Sequence, residues 1–252
     1  MADIQPEKGA RVRAIILTTQ RTGSTFLTDC LRSHPDIECA GEILNGDPDE
    51  PQPSYRGPFK DVLKAYRYAR SGAWLADRWI RNFYARGSAQ VRCFKAMYNQ
   101  LSRPLAMRYF RENPEVRVIH LRRENLLKVH VSTLLMSKRR NVQTRSPTDP
   151  VWIRVDPGQA IASMRAARSE HAKFERAFAR HPRLQLAYEE LIDGQNLQAE
   201  SARAICAFLG VHDRPMRSDL LKLNPESLRE MVTNYDELAE ALSRTEFANL
   251  LA

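Results

Sequence analysis

Arg21 stands two residues before Gly23, and Ser24 and Thr25 follow directly, in the run TTQRTGSTFL. A cation, a glycine and two small hydroxyl residues are the parts of an anion site. Glycine lets the backbone approach a ligand, and small residues at a helix start leave its first N–H groups pointing outward. The common phosphate loop has the form G-x-x-x-x-G-K-[ST]. Here Thr18 stands five before Gly23 and Ser24 stands after it, so the lysine that reaches the end of a triphosphate is missing. Positive charge enters through Arg21 instead. A second set of the same chemistry is Arg122 and Arg123 followed by Ser132. The fixed fork of a guanidinium suits a terminal phosphate better than the point charge of a lysine. Spacing leaves open which of the two arginines makes that contact. Two further charges stand out by their apolar neighbours. Glu42, flanked by Gly41 and Ile43, is a carboxylate on an otherwise apolar stretch, where a surface position is the ordinary expectation for a lone glutamate. Lys95, in VRCFKAMY, either holds a transferring anionic group or leaves its strand for solvent.

The elements that must position these residues follow from hydrophobic period. Ala14 to Leu17 is apolar, polarity holds from Thr18 to Thr25, and Phe26, Leu27, Cys30 and Leu31 return at helical spacing. That is strand, tight loop, helix. Pro35 ends the helix, and a short extended segment brings Glu42 back past the loop. Residues 45 to 58, with Pro48, Pro51, Pro53 and Pro58, predict an irregular loop that either touches an acceptor or merely connects. Residues 59 to 70 and 73 to 85 read as helices, with Trp74, Trp79, Phe83 and Tyr84 filling core or groove. Val91 opens a second buried strand, and Lys95 lies toward its C-terminal end, where ligands gather in open parallel sheets.

Val116 to Leu121 is a further strand, and the turn after it leads into a helix with the stripe Leu127, Val131, Leu134 and Leu135. Ser132 lies on the polar flank of that helix, four residues beyond Lys128. Residues 137 to 157 are basic and interrupted by proline, which suits a lid or a solvated face. A long helix over 158 to 180 carries the stripe Ile161, Met164, Arg168, His171, Phe174 and Phe178. Residues 184 to 192 read as a strand running into a helix, and Ala202, Ile205, Cys206 and Leu209 form the stripe of the next. Two helices close the chain. The expected architecture is α/β: a single P-loop-like domain over residues 1 to 252, a central, mostly parallel sheet flanked by helices, and a helical C-terminal extension.

Lys+Arg 39 against Asp+Glu 30 gives a formal charge of +9, which suits nucleic acid, an acidic membrane or a polyanionic small ligand. No recognition helix or RNA-binding motif accompanies the charge, so no nucleic-acid partner is expected. Cys30, Cys39, Cys93 and Cys206 form no C-x-x-C pair, which argues against zinc and disulfides. The start MADIQPEKGARVRA has no long apolar run, and no stretch approaches the roughly 18 to 20 apolar residues that span a bilayer. A reduced, cytoplasmic protein without integral membrane contact is expected.

QRTGSTFL resembles the 5′-phosphosulfate loop of sulfotransferases. HPD followed by GE is similar to the segment after that loop in tyrosylprotein and bacterial carbohydrate sulfotransferases, where the glutamate is the general base. Phe94-Lys95 resembles a pair found in related members. LRREN leading to Ser132 resembles the 3′-phosphate motif, although the usual spacing of eight is here nine from Arg123 and ten from Arg122. YEEL, then FLGV, and the C-terminal tail resemble the bacterial carbohydrate members of the glycolipid and nodulation-factor type. The resemblance implies a donor, 3′-phosphoadenosine 5′-phosphosulfate (PAPS), with adenosine 3′,5′-bisphosphate as product and no metal. It implies donor contacts from Arg21, Thr22, Gly23, Ser24, Thr25, Arg122 or Arg123, Ser132 and Tyr188, and catalysis by Glu42, Arg21 and Lys95. Tyr188 is otherwise a core residue. His34 is the next candidate base. The acceptor is expected to be a hydroxyl of a sugar or glycolipid. The alternative is a P-loop small-molecule kinase or nucleotide hydrolase.

Overall fold

The computed structural model describes residues 11–44, 73–102, 106–138, 152–220 and 227–251. The expected loop over 45 to 58, the helix over 59 to 70 and most of the basic stretch over 137 to 157 lie outside the described residues. The chain gathers into two compact units. The first comprises Met1–Thr19, Gly23–Arg122 and Phe178–Ser218; the second comprises Gln20–Thr22, Arg123–Ala177 and Asp219–Ala252.

The first unit is built on a five-stranded, wholly parallel sheet in the order β2-β3-β1-β4-β5. Strand β1, Val12–Thr18, lies between β3, Val91–Met97, and β4, Arg117–Arg122; β2, Ile37–Ala40, and β5, Arg183–Ala187, are the edges. A central parallel strand is covered on both faces, so it needs a nearly continuous apolar run. Ala14 to Leu17 meets that need, each residue fully buried. Helix α1, Ser24–Arg32, packs Phe26, Leu27, Cys30 and Leu31 onto one face with Ala14, Ile16, Cys93, Ile119 and Leu121. Helix α2, Ala73–Ala85, serves the other face, where Phe83 and Tyr84 meet Phe94 edge-on or tilted. Trp79, Phe83 and Tyr84 are buried as expected; the Trp74 side chain lies outside the described ones.

Every residue of β3 is buried, Arg92 and Lys95 included, although charge is costly away from water. Their positions differ by an odd number, so they leave the strand on opposite faces. Arg92 donates to the carbonyls of Phe83 and Arg86 at the end of α2, pairs with Glu38, and lies 4.4 Å over the Phe83 ring. A cation there is favoured by the helix dipole, and its role is structural.

After β3 come two helices that the sequence pattern did not disclose, α3, Tyr98–Leu101, and α4, Ala106–Glu112. The strand expected to run through residue 192 ends at Ala187. Tyr188–Glu190 is a 3-10 turn, followed by the small hairpin of β6, Ile192–Asp193, and β7, Asn196–Leu197. Helix α7, Ala199–Leu209, then buries Ala202, Ile205, Cys206 and Leu209, the stripe read from its sequence.

The second unit is helical. Helix α5, Leu126–Lys138, α6, Pro157–Ala177, α8, Leu228–Met231, and α9, Tyr235–Ser243, share a core of Leu127, Val131, Leu135, Met164, Leu238, Leu242 and Phe247. Asn125 starts α5 by accepting from Lys128 N at 2.9 Å, and its amide donates to Leu250 O at 2.9 Å. Asp156 starts α6, accepting from Gln159 N at 2.7 Å ahead of Pro157, the residue type favoured at a first helical position. Ser227 and Glu230 form a capping box on α8.

Candidate active site

Strand order reverses about β1: the chain leaves β3, passes over β1 and re-enters as β4. In open α/β sheets ligands bind at such a switch point, at the C-terminal ends of the strands. Thr18 closes β1 there, its Oγ1 donating to Leu121 O of β4 at 2.9 Å.

Gly23 starts α1 in the left-handed region, at φ 77° and ψ 12°. Leu27 N is the first to bond back, to Gly23 O at 3.1 Å, so helix geometry gives the N–H groups of Ser24, Thr25 and Phe26 no intrahelical acceptor. No side chain caps this start and no acid lies in its first turn. The Tyr188 ring lies against Gly23: a Cβ there would fall 2.5 Å from Tyr188 Cε2. Glycine is thus required twice, by its φ and by the ring. Gly23→Ala is expected to lose about 1–2 kcal/mol from the left-handed backbone alone. With the ring displaced as well, the melting temperature should fall by several degrees in calorimetry. Unchanged melting would show that loop and ring relax freely.

Lys95 stays within the protein rather than leaving for solvent. Its side chain is 4% exposed, and its Nζ pairs with Glu42 Oε1 at 2.9 Å. The same ammonium donates to Thr25 Oγ1 at 3.3 Å. Sheet register explains the meeting. Ala40 pairs with Phe94, and the next step sets Gly41 O to accept from Lys95 N at 3.1 Å, so Glu42 emerges beside the lysine. Glu42 is mostly buried, its side chain 16% exposed, and its second oxygen accepts from Gln100 Nε2 at 2.8 Å. Sequence reading missed Gln100, which has no spacing or neighbour to mark it.

His34 is committed elsewhere. Its Nδ1 accepts from Asp36 N at 3.1 Å, so Nε2 must carry the proton it shares with His212 O at 2.9 Å. Both ring nitrogens of His34 are thus engaged by backbone groups. The four cysteines are free and buried. Burial, with the Asp29 charge second, pushes the Cys30 thiol up to about 12, and burial raises Cys93 and Cys206 too. These three are packing groups rather than nucleophiles. Arg122, also in the first unit, donates through Nη2 to Gln185 of β5 at 3.0 Å.

The second unit holds the other cationic cluster. Arg21 Nε donates to Ser132 Oγ at 2.9 Å, and Arg123 Nη1 donates to Arg21 O at 3.3 Å. Arg21 sits at φ 62°, the one non-glycine residue with positive φ among those described. Such strain persists only where neighbours over-determine it, and it gathers at ligand clamps. Here side chain and carbonyl are both held. Thr22 beside it is buried. Thus Gly23, Thr25, Lys95, Glu42 and Tyr188 belong to the first unit, and Arg21, Arg123 and Ser132 to the second.

Residues 14–215 match a family model described as Sulfotransferase family. No curated protein sequence matches the chain. Among solved structures, a sulfotransferase from Alicyclobacillus acidocaldarius superposes with a TM-score of 0.51 over 96% of each chain at 17% identity, a likeness of fold. No described helix is long and apolar enough to cross a membrane.

Proposed function

The chain belongs to the sulfotransferase family, and from that premise we propose that it moves a sulfuryl group from PAPS to an acceptor hydroxyl, with a sugar or glycolipid favoured as acceptor. The observation that carries the reading is Lys95, whose ammonium touches both Thr25 Oγ1 of the glycine loop and Glu42 Oε1. A loop for an anion, a cation and a carboxylate are joined in one chain of contacts.

The residues fit such a donor. The glycine start of α1, with neither side-chain cap nor nearby acid, offers N–H groups and the positive end of a helix dipole to a 5′-phosphosulfate. Arg21, Thr22, Gly23, Ser24 and Thr25 would hold that end, with Tyr188 packed on the loop. Arg123 and Ser132 are the candidates for the 3′-phosphate. When bound, the donor supplies an activated sulfuryl group; metal assistance is not part of the reading.

Lys95 and the loop amides stabilise charge that grows on the phosphate side as the sulfur–oxygen bond breaks, the kind of preorganised term that is often largest in catalysis. Glu42 takes the acceptor's proton. In the structure its Oε1 is engaged by Lys95, so an anion at the loop would offer that ammonium a second partner and leave Oε1 for the acceptor. The base would then be freed by donor binding.

Thermal shift tests the donor. A ligand bound only by the folded state at a hundred times its Kd adds about 2.7 kcal/mol, or roughly 5–10 °C for a chain of this size. That shift is expected with adenosine 3′,5′-bisphosphate and not with magnesium-ATP. The opposite ranking would transfer the chain to kinase or hydrolase chemistry. Labelled donor incubated with a cell extract, with the labelled product identified, would name the acceptor.

A further inference from the structure

We infer that Gln100 is a positioning residue that sets the direction of the Glu42 carboxylate, an inference that rests on reading Glu42 as the proton acceptor. Gln100 is 5% exposed, and both ends of its amide are engaged. Its Oε1 accepts from Met97 N at 3.1 Å, and its Nε2 donates to Glu42 Oε2 at 2.8 Å. The first bond fixes the second. A backbone N–H can only donate, so the amide oxygen must face Met97, and the NH₂ is left to face the carboxylate.

The support beneath Gln100 is rigid. It lies on the single turn Tyr98–Leu101, which leaves the C-terminal end of β3 directly after Met97. Tyr98 is 1% exposed, and its hydroxyl meets Nε2 of the fully buried His120 at 2.5 Å. His120 is on β4, where it pairs in register with Leu17 of β1. The turn is therefore pinned to the sheet beside the strand that leads into the glycine loop. Glu42 is held from two directions: Lys95 of β3 takes Oε1, and Gln100 takes Oε2.

These two engagements differ chemically. Lys95 is a flexible cation that also reaches Thr25, whereas Gln100 is neutral and locked by a backbone donor. When the lysine releases Oε1, the glutamine keeps Oε2 fixed. The carboxylate then presents Oε1 to the acceptor rather than rotating about its last bond. Lys95 is the charged group shown facing Glu42; Tyr98 faces away toward His120, and Arg92 leaves β3 on the opposite face.

The test separates turnover from binding. Gln100→Leu removes the donor to Glu42 Oε2 and is expected to lower the kcat of sulfuryl transfer by about tenfold, the worth of a hydrogen bond to a charged group, while affinity for adenosine 3′,5′-bisphosphate is unchanged. Gln100→Glu keeps an acceptor for Met97 N and so keeps the turn, but sets a second carboxylate where the donor stood. Its kcat should fall at least as far, again with bisphosphate affinity unchanged. A folded Gln100→Leu protein with wild-type kcat would overturn the inference. So would a folded Gln100→Glu protein with wild-type kcat, or a loss in either variant that lies in bisphosphate affinity rather than in kcat. Failure of wild-type protein to bind adenosine 3′,5′-bisphosphate would instead strike the donor assignment.

Discussion

Glu42→Gln is expected to lower sulfuryl turnover by about 100- to 10,000-fold, the range over which a positioned proton acceptor acts, with affinity for adenosine 3′,5′-bisphosphate changed no more than a few-fold. Glutamine has the shape of glutamate but no basic oxygen. The surroundings add a second consequence. Lys95 can only donate and must face the new side-chain oxygen, which turns the new NH₂ toward Nε2 of Gln100, already fixed by Met97 N. Two donors then oppose each other, and a buried ammonium has lost its counter-ion. A fall of several degrees in melting temperature should accompany the loss of turnover.

The measurement is turnover and bisphosphate affinity on the same folded preparation, so that lost base and lost fold are separated. If turnover survives while the protein is folded, Glu42 is not the acceptor of the proton. His34, whose ring nitrogens both meet backbone groups, would then be the next base to test.

The strand, loop and helix from Val12 to Arg32 were legible because every signal in them is local. Apolar run, hydroxyl and glycine loop and helical stripe all lie within a few residues of one another. The meeting of Lys95 with Glu42 was not, because it depends on the register of β2 against β3, set by pairing between distant segments. Neither residue carries a sign of the other. Gln100 was invisible for a related reason: its importance comes from one backbone N–H and one carboxylate, and neither leaves a periodic trace. Tyr188 fell between these cases. The tail of the strand pattern ran on through YEEL, yet the backbone turns at Tyr188 and lays the ring on Gly23. Local propensity gave way there to a close packing contact that only a glycine permits.

The ambiguity between Arg122 and Arg123 has the same origin, and the described contacts give it a testable answer. Adjacent residues leaving a strand point to opposite sides. Arg122 turns to Gln185 on the neighbouring strand, while Arg123 goes to the carbonyl of Arg21, whose side chain holds Ser132. Arg123→Ala is therefore expected to weaken binding of adenosine 3′,5′-bisphosphate by about ten- to hundredfold, the worth of a hydrogen bond to a charged group. Arg122→Ala should change it by less than about threefold, as for an exposed polar contact. Titration calorimetry with adenosine 5′-monophosphate is the control. Lacking the 3′-phosphate, it should bind the Arg123→Ala protein as it binds wild type. Equal losses for both nucleotides would mean that Arg123 acts by holding the strained backbone of Arg21, and a larger loss from Arg122→Ala would reverse the assignment.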